Sequence, residues 1–169
     1  MTNKDEAIQL YNFIKHGDID QAKELISNDE RLLHVVTPFG TWLHVAARAG
    51  DMDMILVESG MDLNINEGVP KSAPIAHAAS EGKLSIVEYL FDNGAHLDVS
   101  ASNRNPLFSA IYGGHLDLVK YLVGKGIDTT VKYTGDAINE LDAYEFAIES
   151  GQVEIAKYLG KVKGVNSER

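Results

Sequence analysis

The chain has 169 residues, 44% of them hydrophobic and 24% charged, which is ordinary globular usage and excludes wholesale disorder. Its length predicts a single domain over residues 1–169, and the absence of cysteine excludes disulfides, thiolate zinc sites and cysteine nucleophiles. Fifteen Lys and Arg against 25 Asp and Glu give a formal net charge of −10, which argues against binding to nucleic-acid phosphates. If charge selects a partner, that partner is basic; the alternative is that the charge serves only solubility.

The N-terminal segment carries Asp5 and Glu6 where a secretory signal would be basic and then apolar. No uncharged apolar stretch approaches the ~20 residues that a membrane-spanning helix needs. We therefore expect a cytoplasmic protein that does not associate with membranes and is a monomer by itself.

A similar segment recurs five times along the chain, and each copy contains a glycine at the same place: Gly17, Gly50, Gly82, Gly114 and Gly151. The spacings between these glycines are 33, 32, 32 and 37 residues. A repeat of this length predicts stacked supersecondary units, here over residues 4–33, 37–66, 70–101, 102–132 and 138–162. The first and last units are expected to act as caps.

Each unit is predicted to form two short helices. The first helix is small and apolar, begins at a proline in two units (Pro74 and Pro106), and ends at the shared glycine in a left-handed conformation. The second helix is amphipathic, with apolar residues at three- and four-residue spacing, as around Ile55 and Ile86. Because no single unit can bury its apolar face, neighbouring units must complete the core.

The segment TWLHVAARAG at 41–50 resembles the TPLHxAAxxG signature of ankyrin repeats, and MDLN and AHLD resemble the loop that follows it. This resemblance implies an all-α ankyrin-repeat solenoid of five helix-turn-helix units with short hairpin or loop fingers. It also implies that His44 braces a loop. The matching positions of the later units hold Ala76, Phe108 and Glu145 instead, so those units are expected to lack the brace.

No pattern in the sequence indicates catalysis, a cofactor or a metal. The six histidines never occur as HExxH or as a pair four residues apart. Packed helices would hold the backbones of His44 and His77 about 10 Å apart, too far for shared metal ligation without other ligands. The GKG segment at 124–126 lacks the other residues of a phosphate-binding loop and is better explained as a helix end.

Ankyrin repeats are expected to contact partner proteins through the inner helices and the finger tips. We predict partner contacts at twelve positions: Phe39, Trp42, Arg48, His77, Glu81, Arg104, Tyr112, Tyr133, Asp136, Asp142, Glu145 and Glu149. The aromatic members are the kind of side chain that anchors interfaces. The alternative is that Trp42 packs under a neighbouring finger and that the others fill gaps between units.

The C-terminal part of this set is acidic. Residues 133–156 contain six carboxylates and no Lys or Arg, and Asp142, Glu145 and Glu149 share one helical face. Like charges at such spacing cost about 0.2–0.5 kcal/mol per pair. We therefore interpret this face as a docking surface for a basic protein; the alternative is a solvated helix face. The N-terminal half of the groove is basic, with Lys15 and Arg48.

These features predict a non-catalytic module that binds and occludes a partner protein through its concave face. The acidic, compact chain is similar to the ankyrin-type immunity proteins that neutralise basic, nuclease-like bacterial toxins. The alternative is a general intracellular ankyrin adaptor or regulatory inhibitor whose target is not selected by charge.

Overall fold

The computed structural model describes residues 4–50, 62–66, 71–135 and 138–165. Within these ranges the structure contains nine α-helices and one short 3-10 helix. They are α1 (Lys4–His16), α2 (Ile19–Asn28), a short 3-10 helix (Glu30–His34), α3 (Trp42–Ala49), α4 (Pro74–Ser80), α5 (Leu84–Asp92), α6 (Pro106–Gly113), α7 (Leu116–Gly124), α8 (Ala143–Glu149) and α9 (Val153–Lys163). The second helix predicted around Ile55 lies outside the described residues.

The predicted all-α fold is confirmed, and the strands in the described part of the chain are short. An antiparallel hairpin joins β1 (Tyr133–Gly135) to β2 (Ile138–Leu141) directly before α8. This hairpin contains part of the longer junction between the fourth and fifth repeats. None of the described helices is long and apolar enough to cross a membrane.

The shared glycines turn the chain from the first helix of a pair to the second. All five have positive φ angles between 68° and 77°, as the repeat pattern predicts. At Gly50, which ends α3, the backbone N–H donates to the Ala46 carbonyl. Residues other than glycine rarely adopt this left-handed conformation, so the position of each turn is fixed by the sequence.

The inner helices α1, α3, α4, α6 and α8 pack against one another in chain order and form one continuous core. Fully buried alanines, such as Ala47, Ala79 and Ala110, allow neighbouring inner helices to approach closely. Gly113 marks an especially close approach, because a Cβ atom there would lie 2.5 Å from the Ser80 carbonyl oxygen.

Histidine side chains connect successive units. The Nδ1 atom of His44 accepts a hydrogen bond from the Thr41 backbone N–H at 3.1 Å, so Nε2 carries the proton and donates to the Ser72 carbonyl at 2.8 Å. His115 makes a similar contact, with its Nε2 atom 3.0 Å from the Ser80 carbonyl. The expected bracing role of His44 is therefore confirmed.

Candidate functional site

The exposed side of the inner helices contains two adjoining pockets, which together we call the groove. The larger pocket has a volume of about 470 Å³ and is lined by residues of the α3, α4, α6 and α8 repeats and by the hairpin. The smaller pocket has a volume of about 200 Å³ and lies between the α1, α3 and α4 repeats. Arg48 and Glu81 line both pockets and therefore mark the border between them.

Aromatic rings form one wall of the larger pocket. Phe108 stacks on Phe146 with ring centroids 4.8 Å apart and meets the edge of Tyr133 at the same distance. Phe108 occupies the position of the signature histidine, so here ring packing joins two units in place of a polar brace. Tyr112 follows one helical turn later on α6 and is 74% exposed.

The side chain of Tyr133 is held by two hydrogen bonds, whereas an exposed finger residue was expected. Its hydroxyl donates to the Val99 carbonyl at 2.7 Å and accepts from the Asn105 side-chain amide at 3.0 Å. Burial raises the pKa of the phenol. Tyr133 lines the larger pocket but is fixed in place by the preceding repeat.

The smaller pocket is aromatic and basic. Phe39 is 40% exposed and stacks on Tyr11 with ring centroids 5.6 Å apart. The guanidinium carbon of Arg48 lies 5.5 Å from the centroid of Phe39, and the nearest nitrogen of that guanidinium is 3.7 Å from a Glu81 carboxylate oxygen. Lys15 also lines this pocket. Pairs as exposed as Arg48 and Glu81 contribute little to stability.

His77 lines the larger pocket but is only 7% exposed, so the prediction that it is an exposed residue is wrong, while its contact with a partner stays a prediction. Its ring meets the His44 ring edge-on, with centroids 5.2 Å apart. Burial lowers the pKa of His77 to about 4, and the charges of His44 and Arg48 act in the same direction. Its Nε2 atom has no hydrogen-bond partner among the described residues.

Trp42 is fully buried, so the prediction that it anchors a partner is wrong and the alternative of internal packing holds. Its indole N–H donates to the Leu32 carbonyl at 2.6 Å, beneath the 3-10 helix. The ring turns back against the preceding unit because that is where its apolar surface and its donor are both satisfied.

The prediction that Asp142 belongs to an exposed docking face is also wrong, because Asp142 is buried and both it and Glu145 stabilise the start of α8. Glu145 is half-buried and stays a predicted contact residue. Asp142 is buried and accepts from the Glu145 N–H at 3.0 Å, while the Glu145 carboxylate accepts from the Asp142 N–H at 2.9 Å. This reciprocal pair is a capping box, whose D-x-x-E signature could be read from the sequence. The repulsion between the two carboxylates is therefore offset by their hydrogen bonds to backbone N–H groups at the start of α8.

Lysines from outside the counted acidic segment neutralise this pair. The Lys163 ammonium contacts Asp142, and Lys132 lies 3.4 Å from a Glu145 oxygen. Burial opposes ionisation of Asp142, but the Glu145 N–H and Lys163 outweigh it and lower the pKa of the carboxyl group. The pKa of Glu145 is lowered chiefly by the hydrogen bond from the Asp142 N–H.

Replacing Asp142 by alanine is expected to lower the free energy of unfolding by about 1–2 kcal/mol, because the change removes the N-cap and the nearer of the two carboxylates that Lys163 contacts. Urea unfolding followed by circular dichroism measures the change. The matched control is Glu149→Ala, which removes an exposed carboxylate from the same helix and is expected to change stability by less than about 0.5 kcal/mol. Equal effects of the two substitutions would contradict the capping role.

The remaining predicted contact residues are distributed unevenly. Phe39, Arg48, Glu81 and Tyr112 keep exposed surface and line the pockets, so their role in binding stays a prediction. Arg104 is half-buried, with a guanidinium nitrogen 3.5 Å from the Ser100 hydroxyl, and neither it nor the exposed Glu149 lines either pocket. Asp136 lies outside the described residues.

Several pocket residues were missed, most clearly the hydroxyl-bearing Ser72, Ser102 and Thr134 and the aromatic Tyr11. Tyr11 was detectable, because it precedes Lys15 by one helical turn and so shares its face. No local sequence pattern identifies the three hydroxyl residues as pocket residues, because their positions depend on how neighbouring units stack. Among the described residues, no group of three or more His, Asp or Glu side chains is placed to hold a metal ion.

Inner helices stacked in chain order, with glycine turns at a recurring spacing and hydrogen bonds from unit to unit, define a helical-repeat solenoid. The family model for ankyrin repeats (3 copies) matches residues 7–101, 43–133 and 101–168, and the chain belongs to the ankyrin-repeat family. Members of this family are typically non-catalytic modules that mediate protein–protein interaction.

Curated relatives share the repeats within much longer proteins. The chain is 27% identical over 160 residues to the transient receptor potential cation channel subfamily A member 1 homolog of Caenorhabditis elegans, covering 92% of this chain and 13% of that protein. It is 37% identical over 160 residues to the ankyrin repeat and KH domain-containing protein CBG24701 of Caenorhabditis briggsae, covering 92% of this chain and 6% of the relative. It is 33% identical over 95 residues to the mouse B-cell lymphoma 3 protein homolog, covering 54% of this chain and 21% of the relative.

Proposed function

We propose that this chain binds a segment of a partner protein in the groove, occludes that segment and catalyses no reaction. The observation that carries the proposal is the groove itself: two adjoining pockets with exposed aromatic side chains, Tyr112 and Phe39, at their edges. Exposed aromatics beside a preformed cavity provide anchoring area at low cost in conformational entropy.

The finer hypothesis is that the partner is a basic toxin domain and the chain its cytoplasmic immunity protein. Its support is the net charge of −10, which would speed association with a cationic protein. The acidic C-terminal face supports this hypothesis less than the sequence indicated. Asp142 and Glu145 form ion pairs within the fold, and only Glu149 of the three carboxylates is exposed. The alternative, a general adaptor or regulatory inhibitor with no charge-selected target, is supported equally by the family.

Tyr112→Ala is expected to weaken binding of the natural partner by about 30-fold, the size of effect typical of an aromatic hot spot. The partner is first captured on the immobilised wild-type chain, then purified and titrated against each variant. The matched control is Val153→Ala, a substitution at an exposed apolar residue on α9, away from the groove. Equal affinity of the Tyr112 variant and the wild type would contradict groove binding.

Salt dependence and charge reversal separate the two finer hypotheses. A basic toxin domain should associate much more slowly at high salt, and Glu149→Lys should weaken its binding about tenfold. For an adaptor whose target is not selected by charge, both changes are expected to leave affinity within about twofold, while Tyr112→Ala still abolishes most binding.

A further inference from the structure

The smaller pocket has a surplus of positive charge within an otherwise acidic protein. Two cations, Lys15 and Arg48, line it together with one carboxylate, Glu81. Glu81 approaches Arg48 at 3.7 Å, longer than a hydrogen bond. No carboxylate among the described residues lies within 4.0 Å of the Lys15 ammonium.

Arg48 is placed to receive an anion. Its guanidinium is held near the Phe39 ring, and Phe39 is itself supported by Tyr11. A planar guanidinium accommodates a carboxylate through two parallel N–H···O bonds, which are stronger and more directional than its present contact with Glu81. A carboxylate in the smaller pocket would also neutralise the positive charge of Lys15.

The larger pocket favours a different kind of side chain. Phe108, Tyr112 and Phe146 line it, and its charged lining residues are Arg48 and Glu81, the pair at the border. A neutral, aromatic surface favours an aromatic or large aliphatic side chain over a charged one. Hydroxyls of Ser80 and Ser109 at its rim can serve the backbone of an extended segment.

Because the two pockets share one wall, a single short segment can fill both. Packed helices of successive units lie about 8–10 Å apart and an extended chain rises about 3.3 Å per residue, so a few residues of a partner bridge the two pockets. We propose, building on the proposed function, that the groove selects an extended partner segment with a carboxylate about two to six residues from an aromatic or large aliphatic side chain. The carboxylate occupies the smaller pocket against Lys15 and Arg48, and the apolar side chain occupies the larger pocket beside Tyr112.

The test selects a displayed library of random peptides on the full-length chain and then titrates synthetic fluorescent copies of the enriched peptides by anisotropy. We expect enrichment of sequences with Asp or Glu at one constant spacing, about two to six positions, from Phe, Tyr, Trp, Leu or Met. Replacing that acidic residue by its amide, or using the Lys15→Glu/Arg48→Glu double variant, should weaken binding at least tenfold. A peptide with Lys in place of the acid should bind the double variant better than the wild type.

The matched control is Lys23→Glu/Lys161→Glu, which makes the same change in net charge at exposed positions on α2 and α9. This control should change affinity by less than about twofold, since surface charges far from the site are screened. Lys15→Glu alone serves as a second variant, because Lys15 is exposed and its replacement leaves the ring packing around Arg48 intact.

The outcomes separate this inference from the proposed function. Enriched peptides that are basic or uncharged but still lose affinity with Tyr112→Ala would overturn the inference and leave groove binding standing. Peptides whose affinity changes with neither Tyr112→Ala nor the double variant would overturn both. Failure to enrich any sequence class would overturn the inference, because a preformed two-pocket site should select one.

Discussion

Replacing Trp42 by alanine is expected to lower the free energy of unfolding by about 3–5 kcal/mol. The indole is fully buried between the first two units, and its N–H donates to the Leu32 carbonyl. The substitution therefore leaves a large cavity and removes one of the two donors to the Leu32 carbonyl, the other being the Val35 N–H. Because Trp42 is the single tryptophan, unfolding must be followed by circular dichroism rather than by tryptophan fluorescence.

Two companion variants separate the contributions. Trp42→Phe keeps much of the apolar volume but removes the indole hydrogen bond to the Leu32 carbonyl, which keeps the Val35 N–H as a donor, and is expected to cost about 0.5–1.5 kcal/mol. Tyr112→Ala removes an aromatic ring that is 74% exposed and is expected to change stability by less than about 0.5 kcal/mol. If Trp42→Ala were as mild as Tyr112→Ala, the buried position of the indole would be contradicted.

Stability is expected to fall as the pH falls from 6.5 to about 4, and His77 should account for up to roughly 3 kcal/mol of that loss. Burial, followed by the charges of His44 and Arg48, lowers the pKa of His77 from 6.5 to about 4. Between these values the unfolded chain binds a proton at this residue and the folded chain does not. The stabilising contribution is therefore complete above pH 6.5 and lost once the pH reaches about 4.

Urea unfolding of the wild type and of His77→Leu across that window measures the effect. Carboxylates also titrate at the acidic end, so the difference between the two proteins isolates His77. The variant should show a shallower decline, while His34→Gln, at an exposed histidine, should follow the wild type. Parallel curves for His77→Leu and the wild type would contradict the buried, neutral imidazole.

The fold could be predicted because each repeat contains its own local signals. The shared glycines, the prolines at Pro74 and Pro106 and the apolar spacing each act within one helix pair, and the structure has the turns and helix starts where those signals place them. His44 was equally readable, since its role follows from a motif that includes the residue it braces, Thr41.

The groove could be predicted only in part, because its contacts join residues that are distant in the sequence. The acidic segment between residues 133 and 156 does not include Lys163, which lies 21 positions after Asp142 and pairs with it. The first residue of a helix, as Trp42 is in α3, can face outward or back against the preceding loop, and local sequence does not choose between these. The stacking of Phe108 on Phe146 likewise depends on the approach of two units.

The contacts between neighbouring units have a consequence for synthesis of the chain. The hydrogen bonds described between one unit and the next connect residues at most 35 positions apart. A ribosome adds that many residues in a few seconds at about 5–20 residues per second. Each unit can therefore dock on the preceding unit as it emerges. Its apolar surface stays exposed to solvent only until the next unit has been translated.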